Sequence, residues 1–161
     1  MSRDLLDSFI SRQVGPDKAL LAVFEPLAAR VGSMDYAEML ADPALWGGNL
    51  AKTGRLLNMD GLVLGFDAEA SLQPANFAVA VDAFGRLAQT ERNYFGCIAN
   101  MAGPVTRAEK MLGDAERVAE LKLQTVEMAE SLCKTRPDIL MFREGSALGK
   151  AKIGMPHRKT Y

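Results

Sequence analysis

Short apolar runs alternate with longer stretches of helical periodicity along this chain. Four runs, at residues 19–24, 62–66, 94–99 and 139–142, are continuous and apolar, which is typical of strands buried on both faces of a parallel sheet. The intervals between them carry apolar residues at the three- and four-residue spacing of amphipathic helices. The pattern therefore predicts the order β-α-β-α-β-α-β, with a parallel sheet and right-handed crossovers.

A leading helix is predicted ahead of the first strand. Its apolar stripe follows Ser2, which can cap the helix, and ends before Gly15, which can terminate it. Asp42, followed by proline, and Asp114 are the predicted N-caps of two later helices. The later helices are predicted at residues 34–40, 43–57, 77–91, 104–112 and 115–133.

Composition narrows the class of protein. The chain has 161 residues, enough for one core, whereas an eight-unit barrel uses about 250 residues. Apolar residues make up 48% and charged residues 24%, as in soluble globular domains, and the net charge of -1 favours neither nucleic acid nor an anionic membrane. No signal peptide or membrane-spanning stretch is evident, and the two cysteines lack disulfide-framework spacing. We expect a cytoplasmic protein.

Polar side chains follow all four predicted strands. Glu25, Asp67, Asn100 and the pair Arg143 and Glu144 stand at these positions, and ligands of parallel α/β proteins bind beyond the carboxyl ends of the strands. Asp67 follows six residues without a polar side chain. Its carboxylate is therefore expected in a partly desolvated position, able to bind N–H groups or to stabilise a developing cation. Simple contact with water at a strand end is the competing explanation for each residue.

A second candidate lies where Gly103 and Pro104 open a helix that contains Thr106. Free backbone N–H groups at such a helix start can bind a carboxylate or a phosphate, although structural capping is the commoner use. Cys97 is predicted to pack in the core, and His157 is the only histidine. The sequence indicates no metal site and no cofactor on this chain.

Three stretches, taken in order, resemble the uroporphyrinogen decarboxylase superfamily: residues 36–45 (YAEMLADPAL), 60–67 (DGLVLGFD) and 102–112 (AGPVTRAEKML). The resemblance covers residues 18–144. It implies an α/β fold, a partial TIM-type barrel of about four parallel β/α units with a leading helix. Residues 1–144 would form this half-barrel, and residues 145–161 a basic tail.

The resemblance also implies chemistry. Asp67 matches the family aspartate that lies in the cleft and holds the tetrapyrrole through its N–H groups. The decarboxylases bind substrate carboxylates with two arginines after the first strand; here only Arg30 can match, and Pro26 stands where the other would fall. Glu25, Asn100, Thr106 and Glu144 are the further substrate-binding candidates.

Three functions remain open at this point. The first is a subunit of an enzyme that decarboxylates or similarly cleaves a small anionic substrate. The second is a component of a cobamide-dependent methyltransferase, with corrinoid or zinc possible only through a partner chain. The third is a non-catalytic binding or scaffolding module. Because a half-barrel exposes two strand edges and an apolar face, we expect a homo-oligomer or a hetero-oligomer with a second half-barrel chain.

Overall fold

Four parallel strands form one sheet in the order β1-β2-β3-β4. The computed structural model describes residues 20–65 and 74–145, with residues 8 and 11. Apart from residues 8 and 11, the predicted leading helix lies outside the described residues, as do Asp67 and the basic tail beyond Gly145. The strands are β1 (Leu21–Ala22), β2 (Gly61–Gly65), β3 (Gly96–Ala102) and β4 (Ile139–Arg143).

Six helices accompany these strands in the described part of the chain. Two short helices and one long helix lie between β1 and β2, one long helix lies between β2 and β3, and two helices lie between β3 and β4. They are α1 (Glu25–Val31), α2 (Tyr36–Ala41), α3 (Pro43–Leu56), α4 (Pro74–Glu91), α5 (Pro104–Leu112) and α6 (Val118–Cys133). The predicted α/β class and parallel sheet are confirmed.

One face of the sheet packs against the helices. Each strand pairs with the next one along the chain, and right-handed crossovers that always step in one direction place their helices on the same face. The long helices accordingly contact one another in sequence, α3 with α4 and α4 with α6. The buried core between helices and sheet includes Trp46, Leu50, Leu62, Leu64, Phe84, Leu87, Cys97, Ala99 and Met101.

The segment after β1 differs from its prediction. Glu25 is not in a loop that leads away from a strand, because α1 begins at this residue. Pro26 lies in the first turn of α1, where proline's missing N–H group costs no hydrogen bond. The prediction of an extended β1 over residues 19–24 was correspondingly wrong in length, since β1 covers two residues.

Two further boundaries were predicted wrongly. The third strand begins at Gly96, and Tyr94 lies in the preceding turn with 62% of its surface exposed. Asp114 was predicted to cap a helix starting at the next residue, but its carboxylate accepts the backbone N–H of Glu116 at 2.8 Å. The chain makes a turn there, and α6 begins only at Val118.

Asp42 is confirmed as the N-cap of α3. Its carboxylate oxygen accepts the backbone N–H groups of Ala44 at 2.8 Å and Leu45 at 3.1 Å. Pro43 occupies the first turn, where its fixed φ suits the start of a helix. This cap orients α3, which carries Trp46 into the core.

Replacing Asp42 by alanine should lower the free energy of unfolding by about 1 kcal/mol, because two N–H groups lose their acceptor. Asp42→Asn should lose less, since the amide oxygen can still accept. Urea denaturation followed by circular dichroism measures both. Equal losses for the two variants would contradict the capping role.

Candidate functional site

The face of the sheet opposite the helices carries the polar candidates at the carboxyl ends of the strands. Gly65 is in register with Asn100, and Asn100 with Met141, so these residues project to the same face. Cys97 and Ala99 belong to the core against the helices. Because side chains alternate along a strand, Asn100 faces away from the helices.

Glu25 is a buried carboxylate at this edge, with 3% of its surface exposed. Its Oε1 accepts a hydrogen bond from Trp46 Nε1 at 3.0 Å and another from the backbone N–H of Gly65 at 2.9 Å. The glycine leaves the space that the carboxylate uses, since a Cβ at Gly65 would lie 3.2 Å from Glu25 Oε2. Glu25 thereby holds the start of α1 against α3 and the end of β2.

Asn100 lies in β3, next to the end of β2 that Glu25 contacts, and is 1% exposed. Its side-chain oxygen Oδ1 is buried and accepts no hydrogen bond within the part of the chain that the structure describes. An unpaired buried acceptor costs about 1–3 kcal/mol relative to one in water. Because natural proteins rarely leave a buried acceptor unpaired, Asn100 is a candidate for contact with a bound molecule that supplies the donor.

Glu144 fills the helix start for which the sequence offered anion binding as a candidate role and structural capping as the commoner one. Its carboxylate accepts the backbone N–H groups of Val105 at 3.1 Å and Thr106 at 2.8 Å, and the Thr106 hydroxyl at 2.8 Å. The N–H of Gly145 donates in turn to Thr106 Oγ1 at 2.7 Å. The anion at the start of α5 is therefore this chain's own carboxylate, and structural capping is the role that the geometry shows.

Arg107 is a buried residue that sequence reasoning missed. It lies in the first half of α5, is fully buried, and donates from Nη2 to Gln124 Oε1 at 3.0 Å. Burial lowers the pKa of its guanidinium by desolvation. Arginine is ordinarily a surface residue, and only the apolar run before it hinted that this part of α5 is enclosed.

Arg30 is not brought to this edge. Arg30 is exposed in the last turn of α1, a helix of seven residues that starts at Glu25. At 1.5 Å per residue the helix carries Arg30 roughly 8 Å along its axis from Glu25. Asp67, the residue that the family resemblance singles out, follows β2 by two positions and lies outside the described residues.

Comparisons with known proteins add no relative. No protein-family model matches the chain, and no curated protein or solved structure matches it. Within residues 20–65 and 74–145, no group of three or more histidine, cysteine, aspartate or glutamate side chains is placed to hold a metal ion. None of the described helices is long and apolar enough to cross a membrane.

Removing the Glu25 carboxylate should destabilise the fold substantially. We expect Glu25→Ala to lower the free energy of unfolding by about 3 kcal/mol, because two buried N–H donors lose their acceptor. Glu25→Gln keeps an acceptor oxygen and should cost about 1 kcal/mol. Urea denaturation monitored by the fluorescence of Trp46 reports both values. A loss of unfolding free energy for Glu25→Ala as small as that for Glu25→Gln would argue against the stabilising role of these two hydrogen bonds.

Substitutions at Gly103 and Glu144 should have coupled effects on the free energy of unfolding. The φ of -71° at Gly103 suits any residue, but an added Cβ would lie 2.4 Å from Glu144 Cδ and displace the carboxylate. We expect Gly103→Ala and Glu144→Ala each to cost about 1–2 kcal/mol. The double variant should cost little more than Glu144→Ala alone. Strictly additive losses in urea denaturation would show that the two positions act independently.

Proposed function

We propose that this chain is a half-barrel subunit, similar to the first half of the uroporphyrinogen decarboxylase superfamily, of an enzyme that cleaves a small substrate by decarboxylation or a related reaction. A second chain completes its active site. The sequential strand order and the succession of helices along one face support a barrel-type arrangement, since doubly wound sheets reverse their strand order and carry helices on both faces.

One observation carries the proposal. Asn100 keeps a buried oxygen without a donor, on the sheet face away from the helices and at the edge where α/β proteins bind ligands. An acceptor in this position suits a ligand that presents N–H or O–H groups. The tetrapyrroles that the family resemblance implies carry such N–H groups at their centre, surrounded by carboxylates.

One cation on the same face suits an anionic ligand. Arg143 is in register with Ala102, which is two residues beyond Asn100 in β3. The guanidinium of Arg143 therefore belongs to the face that carries Asn100. In this proposal Arg143 is better placed than Arg30 to meet a substrate carboxylate. Asp67 stabilises the positive charge of the protonated substrate, and the electron pair left behind when CO2 departs then neutralises that charge.

A non-catalytic binding module is the second candidate. Two of the three predicted carboxylates at this edge, Glu25 and Glu144, accept hydrogen bonds that hold the fold together. Because both carboxylates already accept hydrogen bonds within the chain, neither is free to act as an acid, a base or a nucleophile. This favours a site that binds a ligand without reacting with it. Binding without turnover by the assembled protein would select this candidate over the enzyme.

Asn100→Leu should separate ligand binding from folding. The variant removes an unpaired buried oxygen, so we expect the free energy of unfolding to stay level or to rise by about 1 kcal/mol. Binding of uroporphyrinogen, kept reduced and measured by thermal shift of the assembled protein, should weaken about tenfold or more. Asp67→Asn should abolish turnover while leaving the stability unchanged.

The matched control is Asn93→Leu, an exposed position in the turn that precedes β3 at the opposite edge of the sheet. It should change neither binding nor stability. A destabilised Asn100→Leu protein, or one that binds the tetrapyrrole as well as the parent, would show that the amide is a structural group and would remove the main support for this site.

A further inference from the structure

Helix α6 carries two apolar faces rather than one. Met128 and Leu132 are buried in the core beneath the sheet-facing side of the helix. Val126 and Cys133 are seven residues, or about two turns, apart and share a second face of the helix, on which Val126 is 45% exposed and Cys133 is exposed. Ala129 lies between them and also packs against the core. An ordinary surface helix needs only one apolar face, so the second face calls for a separate explanation.

The second face of α6 borders an open groove beside the edge strand. The groove has a volume of about 320 Å³ and is closed on its other sides by Pro104 at the start of α5 and by Phe142 of β4. Lys122 and Glu130 are the charged residues that line it. Among the described strands, β4 pairs only with β3, so the groove continues into an open strand edge.

The opposite end of the sheet is also apolar and open. Leu20, Val23 and Leu27 surround β1, are between 41% and 53% exposed, and lie at the edge that no other described strand covers. Leu27 and the exposed Arg30 are three residues apart in α1 and therefore share one face of that helix. This face presents one apolar group and one cation.

We propose that the groove beside β4 is the interface for a second copy of this chain, which contributes the Leu27 and Arg30 face of its α1. Val126 and Glu130 are four residues apart on α6 and form the complementary pair, one apolar group and one anion. Leu27 of one copy then covers Val126 of the other, and Arg30 meets Glu130. This inference deepens the proposed function by naming the completing chain as a second copy.

A twofold axis makes the assembly closed. Each copy owns one β4 edge and one β1 edge, so the same contact forms twice and neither edge stays open. In this arrangement β4 of one copy lies next to β1 of the other copy, and the two strands run in the same direction. Arg30 thereby has a role at the interface, which suits its exposed position away from the ligand edge.

The test is a reciprocal charge reversal in the full chain. At micromolar concentrations, light scattering after gel filtration should give a mass twice that of one chain. Glu130→Arg and Arg30→Glu should each weaken dimerisation by about tenfold or more, and the double variant should recover it. Glu127→Arg, an exposed change on another face of α6, is the matched control and should dimerise like the parent.

A second readout uses a native thiol. Cys133 lines the groove and is exposed in one chain, whereas Cys97 is buried. In the dimer Cys133 should react with a thiol reagent at least several-fold more slowly than in Glu130→Arg. A monomeric parent protein, a dimer indifferent to both single reversals, or failure of the double variant to recover would each overturn this interface. A protein that fails these tests but still loses tetrapyrrole affinity on Asn100→Leu would keep the proposed ligand site and lose only the second copy as the completing chain, so the two proposals fail separately.

Discussion

The buried carboxylate of Glu25 is the constraint on which the ligand edge depends. Removing a carboxylate from water costs several kcal/mol unless donors replace the lost solvation. Trp46 Nε1 and the Gly65 N–H supply them, from a helix and a strand that lie 21 and 40 residues away along the chain. Any motion that separates these elements leaves the carboxylate buried without its hydrogen-bond donors, which is energetically costly. We therefore expect α1, α3 and β2 to move as one unit.

The Glu144 cap repeats this device at the other end of the edge. It ties the end of β4 to the first turn of α5 through two backbone N–H groups and one hydroxyl. Asn100 stands between these two fixed points, in a central strand whose backbone is paired on both sides. A rigid frame of this kind lets one side chain keep an unpaired oxygen, because the surrounding structure cannot rearrange to satisfy it.

The elements that were predicted correctly are those whose burial follows a regular period. Helices α3 and α4 are long enough for a stripe of apolar residues to define them, and Asp42 marks the start of α3 by local chemistry alone. Helix α1 was missed because its seven residues give too few repeats of an apolar pattern to define a helix. The role of Glu25 was beyond reach, since its partners are set by tertiary contacts and Trp46 carries no local signal of that pairing.

The position of the candidate site also explains why an assembly would matter for it. A sheet of four strands can contact a ligand on one side only. Its edge strands, β1 and β4, lie on either side of Asn100 and Glu25. A second copy at those edges would add walls without altering the frame that the two carboxylates hold. A ligand that touches both copies would then bind the dimer more tightly than the monomer, and by mass action it would stabilise the assembly. Ligand binding and dimerisation would then strengthen each other, although different residues form the ligand site and the dimer interface.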